Sequence, residues 1–278
     1  MPQEKRYLMQ TLRDKAWIWG YMINGAVPGN VPFAPNDRSA CSLETAADYM
    51  DVPNVIFMNS NHDMKTLTPE YLKPLANCKQ IVCGLQHGAY AETAKKVSQL
   101  SKIYPNIKGG LIDDFLDYHG PSKSMTVEET RAVYEALKSE NPDLRLAVVQ
   151  YTWQDPAQDQ AILRPYLPYI DIINLWTWVP DPYEWNAKLN NYIEQMTART
   201  GKPVLLGLYL HDFGGTGGPM PMDMLELQMK KAMGWAKCGR IEGFVMIHSG
   251  YFDDENHRPQ IQWTKEYLNW AFKTYSSR

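Results

Sequence analysis

No run in this 278-residue chain is apolar for long enough to cross a bilayer, and Met1–Lys15 is polar and charged, without the apolar stretch of a secretory signal. The expectation is a cytoplasmic protein, or a secreted or periplasmic one whose leader has been removed. Basic runs are missing too. The formal net charge is −3 and no stripe of Lys or Arg is present, which excludes the electrostatic footprint of a nucleic-acid binder or of a protein held on an acidic membrane surface. Only four cysteines occur, Cys41, Cys78, Cys83 and Cys238, with no CxxC pair and no His/Cys spacing of a zinc site. They read as buried free thiols, with a Cys78–Cys83 disulfide as the alternative. A nucleotide-binding glycine turn is also lacking, because Gly25-Ala26-Val27-Pro28-Gly29 does not supply one. No linker, charge run or low-complexity stretch divides the chain, so one domain spanning 1–278 is expected.

What is present is an alternation of strand-like and helix-like segments. Short apolar runs bounded by Gly, Pro, Asn or Asp occur at Ala16–Ile23, Asn54–Asn59, Gln80–Gln86, Lys108–Leu116, Arg145–Trp153, Asp171–Trp178, Pro203–Asp212 and Glu242–Gly250. They are rich in Val, Ile, Leu and aromatics, the pattern of strands buried on both faces. Amphipathic helices are predicted between them at Glu92–Ile103, Tyr183–Arg199, Met222–Ala236 and Gln260–Tyr275. Thr126 to Glu129 forms a capping box before a helix reaching about Ser139. Thr68-Pro69, Asp155-Pro156 and Asp181-Pro182 each place a capping residue before a first-turn proline, and Gly201 and Gly239 stand just past helix ends. Asn24–Cys41 reads as a rim loop. Eight strand-then-helix units imply an α/β fold, a single closed (β/α)8 TIM barrel; an open doubly wound sheet is the alternative.

In such a barrel, chemistry gathers where the strands end. Those ends supply Trp19, Tyr21, Asn24, Asn59, Asn61, His62, Gln86, His87, Asp113, Asp114, Asp117, Gln150, Tyr151, Trp153, Asn174, Trp176, Trp178, Tyr209, His211, Asp212, His248, Ser249 and Tyr251. The set contains no Lys, Arg or Glu. Flat aromatic faces beside amides and carboxylates suit a neutral, hydroxyl-rich ligand, whereas a phosphorylated one would want a cation. The ligand class expected is therefore carbohydrate, contacted by Trp19, Tyr21, His87, Gln150, Trp153, Trp176, Trp178, Tyr209, His211 and His248.

Two adjacent carboxylates close the fourth strand, where burial is costly unless they are used. Side-chain alternation sends Asp113 and Asp114 to opposite faces, so only one is expected to reach the pocket, and periodicity does not say which. Asp212 is either the second acid across the mouth or the start of a loop turn over Asp212–Gly218. Asp117, Asp155, Asp181, Asp253 and Asp254 read as loop, cap or turn residues. Trp176 and Trp178 share a face with Asn174, forming a stacking wall if that face is inward and outer packing if not. His211 and His248 are hydrogen-bonders, acid/base groups or core histidines. The glycine-rich Phe213–Gly218 stretch lacks a basic partner for phosphate and reads as a rim loop.

The segment Leu111-Ile112-Asp113-Asp114-Phe115 resembles the strand-four acidic motifs of chitinase-like barrels, and the whole chain is similar in architecture to (β/α)8 glycoside hydrolases, without matching one characterised family. It departs from the chitinase-like pattern, which finishes in a catalytic glutamate; here Phe115, Leu116 and Asp117 follow. The resemblance implies hydrolysis of a glycosidic bond by aspartates, one of Asp113 or Asp114 paired with Asp212, or assisted attack by the substrate's own amide. No cofactor is implied, and the oligomeric state is open. A non-catalytic carbohydrate-binding barrel fits the same residues. A metal-dependent hydrolase would want a dense ligand set, whereas His62, His87, His211 and His248 are spread over four strands. A Schiff-base aldolase or phosphosugar isomerase would want a strand-end lysine or arginine.

Overall fold

The computed structural model describes residues 11–21, 23, 41–58, 66–116, 125–152, 161–178 and 180–275. Eight parallel strands close on themselves in sequence order. They are β1 (Ala16–Gly20), β2 (Asn54–Phe57), β3 (Gln80–Gly84), β4 (Ile107–Ile112), β5 (Arg145–Tyr151), β6 (Ile172–Trp176), β7 (Val204–Tyr209) and β8 (Gly243–Ile247). Every strand thus stops two to three residues or more before the apolar pattern does. The aromatic-rich pattern continues past the last ladder hydrogen bond because the chain is still packed against the mouth after it leaves the sheet.

Helical segments alternate with the strands. They are α1 (Leu43–Met50), α2 (Pro69–Leu72), α3 (Tyr90–Leu100), α4 (Val127–Lys138), a 3-10 segment at Arg164–Tyr169, α5 (Leu189–Thr200) led by a π turn at Glu184–Lys188, α6 (Met222–Lys237) and α7 (Arg258–Tyr275). Helix α1 was not legible in the sequence. The capping box of α4 is complete: Thr126 Oγ1 accepts from the Glu129 amide at 3.1 Å, and the Glu129 carboxylate accepts from the Thr126 amide at 2.7 Å. Thr68 caps α2, and Gly201 and Gly239 take the left-handed conformation expected of them, at φ 67° and 75°. Asp155-Pro156 lies outside the described residues. None of the four cysteines is in a disulfide, and only Cys83 is buried; Cys41 and Cys78 are half-buried and Cys238 is exposed.

Register fixes which side chains face the axis. Trp17 and Trp19 on β1 pair in level with Val245 and Ile247 on β8 and with Asn54 and Ile56 on β2. The same parity runs on through Val82, Leu111, Ala147, Asn174 and Leu205. Trp19 meets Trp176 edge-on at 5.8 Å, although β1 and β6 are not neighbours, so this parity is the interior one. The lower end is closed by Arg145 on β5, which forms a two-pronged ion pair with Glu242 before β8. Asn54 seals the edge nearby, donating to the carbonyls of Asp14 and Ala16. In this fold a ligand approaches by the upper mouth, where the strands end.

Candidate active site at the barrel mouth

Asp113 continues the inward parity of Gly109 and Leu111. Asp114 belongs to the outward parity, but the ladder ends at Ile112 and Asp114 adopts φ 44°, a left-handed turn that aspartate tolerates better than most residues. The expectation that alternation lets only one acid reach the pocket therefore fails. The Asp114 amide donates to Asp113 Oδ1 at 3.1 Å, and the Tyr151 hydroxyl donates to Asp114 Oδ1 at 2.7 Å. Both carboxylates act electrostatically on the same four phenols, Tyr21, Tyr90, Tyr151 and Tyr209, which arrive from different sides of the mouth.

This position sets the acidity of Asp113. Desolvation, then the neighbouring charge of Asp114, push its pKa up to about 7, against the opposing pull of the Asp114 amide. Its side chain keeps partial surface exposure while being surrounded by protein at the mouth. Tyr90 is pushed up to about 12 by burial and the two acids, and Tyr21, Tyr151 and Tyr209 are raised for the same reasons. Tyr90 was missed in the sequence because it opens α3 instead of closing a strand. The aromatic three residues after His87 was its only signal.

An aromatic wall rises from Asp114. Trp178 stands edge-on to Tyr151 and to Tyr209, each at 6.0 Å, and lies against Phe213 at 5.5 Å. Trp176 is not part of that wall. It is buried in the barrel interior below, donating from Nε1 to Asn174 Oδ1 at 3.0 Å. Beyond Phe213 the ring of aromatics continues through His211, Tyr251 and His248 to Tyr21. His248 follows a cis Ile247–His248 peptide, is fully buried, and accepts from the Gly250 amide through Nδ1 at 3.0 Å.

Like Trp176, three more of the expected site residues, Gln150, Asp212 and Trp19, take other places. Gln150 lies between inward Val149 and Tyr151, so alternation turns it toward the outer layer, where it is 1% exposed; it does not face the mouth. Asp212 is 2% exposed and serves its own loop, as the turn reading anticipated. Its Oδ2 accepts from the Thr216 amide at 2.7 Å and from the Thr216 hydroxyl at 3.1 Å. It is therefore not presented across the mouth as a second acid. His87 is exposed and edge-on to Tyr90 at 5.7 Å. Trp19 is buried inside, its indole N–H beside the Tyr21 hydroxyl. Trp153, with Asn24, Asn59, Asn61, His62 and Asp117, lies outside the described residues. Among the described residues no group of three or more His, Cys, Asp or Glu side chains is placed to hold a metal ion, and no helix is long and apolar enough to cross a membrane.

Among the described residues the Tyr151 hydroxyl is the side chain that donates to Asp114, and a hydrogen bond to a charged acceptor contributes about 1.5–3 kcal/mol. Tyr151→Phe should leave the fold intact and lower kcat/KM on any substrate by roughly 10- to 100-fold. Unchanged kinetics would show that Asp114 has no part in the reaction.

No family model and no curated protein matches the sequence. Solved structures do match its shape. A Bacteroides thetaiotaomicron protein described as a candidate alpha-L-fucosidase superimposes with a TM-score of 0.61 at 11% identity, over 98% of each chain. An endocellulase from Pyrococcus horikoshii gives 0.54 at 11% identity, over 91% of each chain. The glycoside hydrolase domain of PgaB from Bordetella bronchiseptica gives 0.53 at 12% identity, over 91% of this chain and 98% of that one. At these identities the likenesses show the fold alone, a closed (β/α)8 barrel.

Proposed function

We propose that the protein is a glycoside hydrolase acting on a neutral carbohydrate, with Asp113 as the general acid. The observation that carries this reading is a carboxyl held protonatable near neutral pH beside an ionisable neighbour, at the foot of an aromatic wall. A glycosidic oxygen leaves poorly as an alkoxide, so an acid poised near the working pH must protonate it as the bond breaks. The charge of Asp114 raises the pKa of Asp113 and steadies the positive charge that grows on the anomeric carbon. Trp178, Tyr151 and Phe213 offer rings to the C–H faces of the sugar, with Tyr209 buried behind them, and the absence of Lys and Arg among the strand-end residues favours an uncharged one. The shared barrel of several glycosidases supports the class, by analogy of fold alone.

A second reading is a carbohydrate-binding barrel without turnover. It is favoured by one observation: Asp212, the acid expected across the mouth, is bound into its own loop.

A panel of chromogenic glycosides and unmodified oligosaccharides, run with and without chelator, separates the two. Chelator-resistant hydrolysis is expected. Trp178→Ala should weaken ligand binding by about tenfold, the worth of one aromatic contact of roughly 0.5–1.5 kcal/mol, with little effect on kcat. Calorimetric binding of sugars with no turnover on any of them would establish the binding barrel instead.

A further inference from the structure

Adjacent carboxylates on one strand end cannot flank a scissile bond from opposite sides, and Asp212 does not supply the missing group. A different constellation lies toward β7 and β8. His211 continues the inward parity of Leu205, Gly207 and Tyr209, is half-buried, and is stacked on Tyr251 with ring centroids 5.0 Å apart and 5° between planes. Its Nδ1 lies 3.0 Å from Nε2 of His257, 46 residues on. His257 is 2% exposed, and its Nδ1 is bonded to Oδ2 of Asp254. A carboxylate only accepts, so His257 holds its proton on Nδ1. Its Nε2 then accepts from Nδ1–H of His211, which leaves the lone pair of His211 on Nε2. Burial lowers the pKa of both histidines, with the like charge of each on the other adding to the effect at His211. Asp212 and Asp254 pull the other way, toward the charged form, and Tyr251 is the other titratable group around the pair.

We propose that His211 is the base that takes a proton from attacking water, and that His257 and Asp254 are positioning residues that fix its tautomer. This rests on the glycosidase reading and assigns it an inverting outcome. Water oxygen bonds to the anomeric carbon as the bond to the leaving oxygen breaks. The leaving oxygen keeps the bonding electron pair and takes the proton of Asp113, while a water proton passes to His211 Nε2. The imidazolium so formed is stabilised through His257 by Asp254, and the two protons exchange with solvent before the next turn.

The test uses the full chain. His211→Ala should cost 10²- to 10⁴-fold in kcat, and azide, an anion needing no base, should restore turnover with a glycosyl azide of inverted configuration as product. Asp254→Asn should lower kcat and move the acid limb of the pH profile to lower pH, since the imidazolium loses its counter-charge; Asp254→Glu should restore both in part. Activity that survives in His211→Ala while Asp113→Asn is dead overturns the base and leaves the glycosidase reading standing. So does turnover confined to 2-acetamido sugars, which would mark attack by the substrate's own amide. If no glycoside is hydrolysed, the glycosidase reading falls by itself and takes the catalytic role with it. The tautomers are tested separately by nitrogen-15 spectra of the imidazoles at pH 8, where a proton on His211 Nε2 would refute the hydrogen-bond chain.

Discussion

Asp113→Asn is expected to abolish hydrolysis of unactivated oligosaccharides and, above neutral pH, to make the protein more stable. The two effects have one cause. The carboxyl sits where its charged form is disfavoured by desolvation and by Asp114, which raises its pKa to about 7. An unfolded aspartate titrates near 3.9. The folded chain therefore binds this proton more tightly than the unfolded chain. Its contribution to stability is fully present below pH of about 4, declines as pH rises, and is lost once pH passes about 7. Asparagine keeps the shape and can still accept from the Asp114 amide, but it has no charge to desolvate. The variant should thus match the parent in thermal midpoint near pH 4 and exceed it by several degrees at pH 8, on the order of 2 kcal/mol once partial exposure is allowed for. The kinetic loss should depend on the leaving group. It should reach 10³-fold or more for an oligosaccharide and be smaller for a nitrophenyl glycoside, whose phenolate departs without protonation. A midpoint difference that is the same at pH 4 and pH 8 would show that Asp113 ionises like a surface acid, and its role as general acid would fall with it.

The barrel was legible because parallel strands covered on both faces read as short apolar runs, and all eight were found between turn and cap signals that the structure repeats at Thr126, Thr68, Gly201 and Gly239. The same double burial hid the parity. With apolar residues on both faces of β4, nothing in Gly109–Ile112 distinguishes inside from outside, and only the register with β3 and β5 does so. The turn at Asp114 was equally hidden, since a positive φ at a non-glycine residue depends on its surroundings. Alternation was enough to reassign Gln150 once that register was known. The pairing of His211 with His257 crosses 46 residues and two elements, and Asp254 looks like any turn aspartate until the fold brings the three together. Strand-end residue types pointed to a sugar, but which of them meet could not be read from order along the chain.

Gly207→Ala should cost about 3 kcal/mol of stability, near the upper end for an overpacked core. Gly207 faces inward on β7, level with Val245, and a methyl group there would stand 2.0 Å from Cδ2 and Cε3 of the Trp176 ring. The ring cannot swing aside cheaply. Its Nε1 is bonded to Asn174 Oδ1, whose own amide donates to the Leu205 carbonyl at 2.9 Å, so moving the indole leaves buried polar groups unpaired. On its other sides it meets Trp19 edge-on and Tyr209 at 5.0 Å. The absence of a side chain at 207 is therefore what admits a tryptophan to the barrel interior. Urea unfolding should show the loss. Trp176→Leu, which removes the ring at the cost of a cavity, should be destabilising alone and should offset much of the Gly207→Ala penalty when combined with it, giving a coupling energy above about 1 kcal/mol in the double-mutant cycle. Additive effects would mean that the two residues do not share the space. The consequence reaches the mouth, because Tyr209 rests on Trp176 and meets Trp178 above it. A ring displaced by the alanine should raise KM before it lowers kcat, and the double variant should recover stability without recovering KM.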